Sequence, residues 1–189
     1  TIKGKDSTGG IVGYLASTLD NAFNMGEITG SKNTGGIVGL TEAIVQYTYN
    51  AGVVYGLENL GAIAGFLNET EVKNSYYDSR LLSSYRGVGN YQKPTKAVGN
   101  SQNSSTVYGL DYNYMTGIER LGLGSLQMNF SKQNWTDNIN IDDNENYPQL
   151  SIFSKSNHEE IRLRSKEATR RTYYQIYYDY NSADGNNDK

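Results

Sequence analysis

Cysteine is absent from all 189 residues, which excludes a disulfide framework, thiolate nucleophiles and thiolate-bound zinc. It does not choose between the cytosol and the exterior, since extracellular proteins also fold without disulfides. Proline is nearly absent, with 2 residues against 21 glycines, so the glycines do not belong to a disordered Pro/Gly linker. Histidine occurs once, at His158. No run approaches eighteen apolar residues, so nothing in the sequence reads as a membrane-spanning helix, and no membrane insertion is expected. The net charge is −3 with no long basic run, so the electrostatic footprint of a nucleic-acid or anionic-membrane binder is missing. Only 37% of the chain is hydrophobic, which calls for a thin or repetitive core rather than one thick globule.

What is abundant is glycine and tyrosine, the latter 17 times, and the glycines are periodic. Gly9, Gly35 and Gly61 are spaced by 26 residues, as are Gly13, Gly39 and Gly65. The same register carries Ile11, Ile37 and Ile63, then Val12, Val38 and Ala64, then Tyr14, Leu40 and Phe66. Asn24-Met25-Gly26 is matched by Asn50-Ala51-Gly52. A fixed period of this length marks a stacked repeat, in which each unit buries its apolar face against its neighbours. Short strands are expected at about 10–15, 22–24 and 28–29, with equivalents at 36–40, 48–50 and 53–55, and no helical periodicity lies between them. The fold class is therefore all-β: a β-solenoid with 26-residue repeats, followed by an irregular C-terminal capping region. Side chains of equivalent strands should form ladders, Asn24 over Asn50 and Phe23 over Tyr49. The adjacent Ile11 and Val12 raise a difficulty, because neighbours on a strand face opposite ways. Either a glycine bends the chain there, or the outer face is covered too.

Three regions are expected: a repeat stack over 1–78, an irregular region over 79–153 that closes the stack, and a charged, Tyr-rich linker or the start of a following domain over 154–189. Residues 79–115 read as a long excursion, or as irregular turns laid against the stack. A helix is expected to start at Thr116, where Thr-Gly-Ile-Glu has the capping-box form. Met128, Phe130, Trp135, Ile139, Ile141, Tyr147 and Leu150 supply bulk to plug an open end of the stack. The segment 155–171 is rich in both charge signs and fits a strand or a helix. Ile2 and Gly4 fall one period before Ile28 and Gly30, so the sequence opens inside a unit, without an initiator methionine or a leader; an excised part of a longer protein is expected.

The repeat block resembles a known family. "GGIVGYL", "GGIVGL" and "GAIAGFL", followed by "NAFNMGEITG" and "YTYNAGVVYG", are similar to the GLUG repeat of large bacterial surface and secreted proteins, among them adhesins and some IgA-specific metalloendopeptidases. The resemblance covers roughly residues 1–78. "NSYYD" at 74–78, Trp135 and "NYPQL" at 146–150 resemble the segment that commonly closes such arrays. The resemblance implies an extracellular bacterial protein and a repetitive β stalk, and it does not imply catalysis.

Candidate chemistry is sparse, and no catalytic, cofactor-binding or metal-ligating residue is expected. His158 begins "HEEIR", but Arg162 stands where a zinc protease needs its second histidine. Asp137, Asp142, Asp143, Asn144 and Glu145 offer oxygen ligands for calcium without the spacing of an EF-hand loop, and a solvated turn is the plainer reading. A glycosidase carboxylate pair is disfavoured by their closeness in sequence. "GVGN" at Gly87 and "GLGS" at Gly122 lack the Lys-Ser/Thr pair of a phosphate loop. The tyrosines and Trp135 suit sugar stacking, yet ladder packing uses the same residues and is preferred. The expected function is a non-catalytic structural or adhesive segment of a bacterial surface protein, extracellular, with a host glycan or host protein and neighbouring domains as partners. The alternative is an accessory region of a secreted zinc metalloendopeptidase whose active site lies elsewhere.

Overall fold

The structure, a computed structural model, describes residues 1–80, 86–92, 107–116, 124–137 and 147–154. Short strands separated by glycine and asparagine turns wind into parallel coils. The first coil comprises β1 (Ile2–Lys3), β2 (Asp6–Gly9), β3 (Val12–Leu15) and β4 (Leu19–Asn24). The second comprises β5 (Ile28–Thr29), β6 (Lys32–Gly35), β7 (Val38–Thr41) and β8 (Val45–Asn50). In the third, β9 (Val54–Tyr55) leads to β10 (Glu58–Asn68), which fuses the equivalents of two earlier strands, then β11 (Val72–Lys73) and β12 (Ser75–Asp78). Pairing between coils is parallel throughout, and β1-β5-β9, β2-β6-β10-β7-β3 and β4-β8-β12 form the walls. The chain is a β-solenoid of about three turns, as its 26-residue register implies.

The ladders explain the paired glycines. Asn24 Nδ2 donates to Asn50 Oδ1 at 2.8 Å, and each asparagine also closes a local turn with Gly26 or Gly52 through both its amide groups. These amides need space, and a Cβ on Gly36 would lie 2.4 Å from Asn50 Cγ. Phe23 stacks on Tyr49 with centroids 5.2 Å apart. The Ile-Val difficulty resolves as a bend: β2 ends at Gly9 and β3 starts at Val12, and their counterparts break likewise between Gly35 and Val38. Ile37 and Val38 are consequently both fully buried.

Polar strands β2 and β6 were not among the expected ones. Asp6, Lys32 and Glu58 stand in register, as do Thr8 and Thr34, while Asn59 Nδ2 donates to Asn33 Oδ1 at 2.6 Å. Side-chain hydrogen bonds there replace the apolar alternation that sequence patterns detect.

Two further expectations are corrected. The period lengthens by one residue in the third coil: Leu67 pairs Thr41, but Val72 pairs Val45 and Tyr77 pairs Asn50, so the extra residue lies between Asn68 and Val72. The asparagine ladder ends there, with Tyr77 in its place. The stack also continues past residue 78, since β13 (Arg86–Gln92) pairs β10 and β14 (Val107–Leu110) pairs β12, both in parallel, as parts of a fourth coil. Gly87 is therefore a strand residue, and Val88 takes the ladder position of Ala64.

After β14 come α1 (Tyr112–Thr116), α2 (Gly124–Gln127), β15 (Trp135–Thr136), β16 (Gln149–Leu150) and a 3-10 turn at Ser151–Ser154; β15 and β16 pair antiparallel. α1 ends at Thr116, and the helix expected to begin at that residue would run through 117–123, which lie outside the described residues. Asp111 caps α1, accepting the Asn113 N–H on Oδ1 at 2.9 Å, and the Thr116 hydroxyl turns back to the Tyr112 carbonyl. Gly122, Glu119 and residues 139–146 lie outside the described residues, as does the whole of 155–189.

Two buried clusters result. One runs inside the coils through Ile28, Ile37, Val38, Val45, Ile63 and Val88. The other joins Tyr49 and Tyr76 of the stack to Tyr112, Met128, Phe130, Trp135 and Tyr147. Of the bulky residues expected to plug an end, Met128, Phe130, Trp135, Tyr147 and Leu150 thus pack on the flank, while Ile139 and Ile141 lie outside the described residues. The cause is the outward aromatic series Phe23, Tyr49, Tyr76 and Tyr108, one residue per coil, whose apolar area needs covering.

Candidate functional site

Two places hold side chains with chemistry. The first is the clasp between the stack and the C-terminal segments. Asp78 ends β12 with its carboxylate wholly buried, and a buried carboxylate needs partners. Arg80 provides a two-point contact, Nη2 to Oδ2 at 2.9 Å and Nε to Oδ1 at 3.2 Å, and the Tyr147 hydroxyl donates to Oδ2 at 2.5 Å. The Arg80 guanidinium lies 4.1 Å from the centre of the Tyr112 ring. Burial pushes the Tyr147 phenol well above its usual range, and the Asp78 carboxylate pushes the same way. Tyr49 donates to the Pro148 carbonyl at 2.6 Å, and burial raises its phenol as well. Trp135 Nε1 donates to Asn21 Oδ1 at 2.9 Å, and its ring lies 4.4 Å from that of Phe130 and 5.7 Å from that of Tyr49.

Every polar group of the clasp named here is engaged, and Trp135, Tyr147 and the Asp78 side chain are buried. The arrangement fastens a segment; it does not present a nucleophile, acid or base to a substrate. Asp137 behaves similarly. Its carboxylate accepts the Ser125 N–H at 2.7 Å and the Ser125 hydroxyl, holding the start of α2. Asp142, Asp143, Asn144, Glu145 and His158 lie outside the described residues. Among the described residues no three His, Cys, Asp or Glu side chains gather as metal ligands, and no helix is long and apolar enough to cross a membrane.

The second place is the outer surface of β3, β7 and β10. Tyr14 is 54% exposed, and Leu40 and Phe66 follow it in register, partly buried. The Glu42 carboxylate accepts from Asn68 Nδ2 at 2.8 Å and from the Tyr14 hydroxyl. These bonds lower the Glu42 pKa, Tyr14 first and Asn68 second, while the same bond raises that of Tyr14. An exposed aromatic ring beside a carboxylate and an amide suits contact with a polar partner that also has an apolar face. Trp135, named with the tyrosines as a sugar platform, is 1% exposed and serves packing. The sequence signalled Tyr14 only as a repeat position; its partners Glu42 and Asn68 sit one and two periods on from Ala16, a spacing that signals them in hindsight.

Fold and site together define a parallel β-solenoid repeat protein with a clasp on one flank and an accessible Tyr-Glu-Asn ladder on its surface. No family model, curated protein or solved structure matches the chain.

Proposed function

We propose that the chain is a non-catalytic structural and adhesive segment of a large bacterial surface or secreted protein, a stalk of GLUG-like coils that presents a binding surface to a host glycan or host protein. The observation supporting this reading is the surface ladder: Tyr14 stays half exposed beside Glu42 and Asn68, whereas Tyr49, Tyr76, Tyr77, Tyr112 and Tyr147 are buried. Aromatic stacking against the apolar face of a sugar, with a carboxylate and an amide to receive its hydroxyls, is the chemistry such a strip supports. The stack supplies rigidity, and its coils add length at about 4.8 Å each.

The test is a glycan and host-protein binding screen with the whole chain, repeated with Tyr14→Ala and Glu42→Gln. Binding lost in both variants with the melting temperature unchanged supports the proposal. No ligand, or binding indifferent to both changes, counts against this surface. A zinc-protease motif elsewhere in a parent chain would favour an accessory region of a metalloendopeptidase.

A further inference from the structure

The aromatic rings beneath the clasp form one connected series. Tyr108, half-buried on the fourth coil, stacks on Tyr76 with centroids 5.7 Å apart, and Tyr76 meets Phe130 edge-on at 5.5 Å. Trp135 stacks on Phe130 at 4.4 Å and lies 5.7 Å from Tyr49, which in turn stacks on Tyr147 at 5.8 Å. Phenol and indole rings give up a single electron readily, and rings this close exchange electrons without a channel for any substrate. Burial is therefore no obstacle to this chemistry.

A phenol stripped of one electron is a strong acid, and a buried cation radical is an unpaired charge in a poor solvent for it. An oxidising equivalent consequently comes to rest where the phenol proton can leave. Burial keeps the Tyr147 phenol protonated in the native state, and its hydroxyl donates to Asp78 Oδ2 at 2.5 Å, so the proton has a carboxylate to enter. Tyr49 donates to the Pro148 carbonyl, a far weaker base. The Arg80 guanidinium, 4.1 Å from the centre of the Tyr112 ring, opposes positive charge on that ring. We propose that Tyr147 is a redox-active tyrosine, a one-electron donor to oxygen-centred radicals that strike the outer rings of the series. The electron leaves Tyr147 through the rings and reduces the oxidant to its anion. The Tyr147 O–H bond breaks as a new O–H bond forms on Asp78. What remains is a neutral tyrosyl radical, a neutral Asp78 carboxyl and the charge of Arg80, whose side chain is 24% exposed and thus partly solvated. Return of an electron from a reductant sends the proton back and restores the phenol.

The experiment is flash oxidation of the whole chain by a photogenerated ruthenium(III) tris-bipyridyl complex, read by transient absorption and, after freezing in deuterated buffer, by electron paramagnetic resonance. Exposed phenols such as Tyr14 lose their radicals by coupling on encounter. Wild type should show in addition a longer-lived neutral tyrosyl radical coupled to one exchangeable deuteron, the one passed to Asp78. Tyr147→Phe should abolish that component. Tyr49→Phe loosens the same segment by removing the bond to Pro148, and it should retain the component at lower yield. No long-lived radical in wild type, a radical without the deuteron coupling, survival of the component in Tyr147→Phe, or its loss in Tyr49→Phe overturns the proposal.

Discussion

Replacement of Gly39 by alanine adds one methyl group where there is no room for it. The new Cβ would lie 2.3 Å from the Ser7 carbonyl carbon, 2.6 Å from the Thr8 nitrogen and 2.6 Å from the Gly13 oxygen, all main-chain atoms of the preceding coil. Backbone held in a ladder cannot turn aside as a side chain can, so the coils must part by about 1 Å to restore ordinary carbon contact. Overpacking of a core costs about 1–3 kcal/mol, and the rigid neighbours place this variant at the upper end. At about 2–4 °C per kcal/mol for a chain of this size, the melting temperature should fall by about 6–12 °C. Gly26→Ala is the control, since its Cβ would meet only Asn24 Oδ1 at 3.4 Å, an ordinary contact. There the reduced freedom of the unfolded chain offsets any loss, with a change within about 1 kcal/mol. Thermal melts of the β circular-dichroism signal for both proteins decide the matter. Equal melting temperatures would refute close coil approach as the reason for the Gly39 ladder.

Three further outcomes are expected. Asn50→Ala leaves Gly52 without its side-chain partners and ends the bond from Asn24, which should cost about 2–4 kcal/mol in chemical denaturation; a loss below about 1 kcal/mol would show the amide ladder to be incidental. Tyr147→Phe removes a donor from the buried Asp78 carboxylate and should cost about 1–3 kcal/mol, with greater susceptibility of the C-terminal segment to proteolysis; an unchanged cleavage pattern would argue against the clasp. Tyr76 is raised to about 12 by burial, with Tyr108 adding to the effect, and burial also raises Tyr49 and Tyr147. The folded state then holds protons that the unfolded state releases, so stability is intact below about pH 10 and declines as the pH rises toward 12; a melting temperature constant across that window contradicts it.

The repeat was legible because its determinants are local and recur: glycine where coils touch, asparagine where amides stack, isoleucine and valine at a bend. Strands β2 and β6 were hidden for a physical reason. They are held by Thr, Asn and charged residues, and each has a residue with left-handed backbone, Ser7 at φ 51° and Asn33 at 49°, so apolar alternation never develops. The fourth coil escaped notice because only Gly-Val-Gly at 87–89 survives of the motif, and its two strands lie far apart in sequence. Nothing local to Tyr147 indicates that its hydroxyl ends on Asp78, 69 residues away. The surface ladder at Tyr14 was visible as a repeat position and not as a site, because its exposure follows from how three strands pair.

The clasp also alters how such a stack comes apart. In an array of coils that touch only their neighbours, stability is a sum along one dimension, and the ends peel first. Here one segment reaches Asn21 in the first coil, Tyr49 in the second and Asp78 in the third, and it emerges directly from the fourth. Units that a linear array would release one by one are tied in parallel, as pages are by a binding. Loss of the first coil must break the Trp135 contact as well as its ladder, and loss of the clasp exposes aromatic rings on several coils at once. Melting then becomes a single cooperative event, and under tension the four coils yield together or not at all.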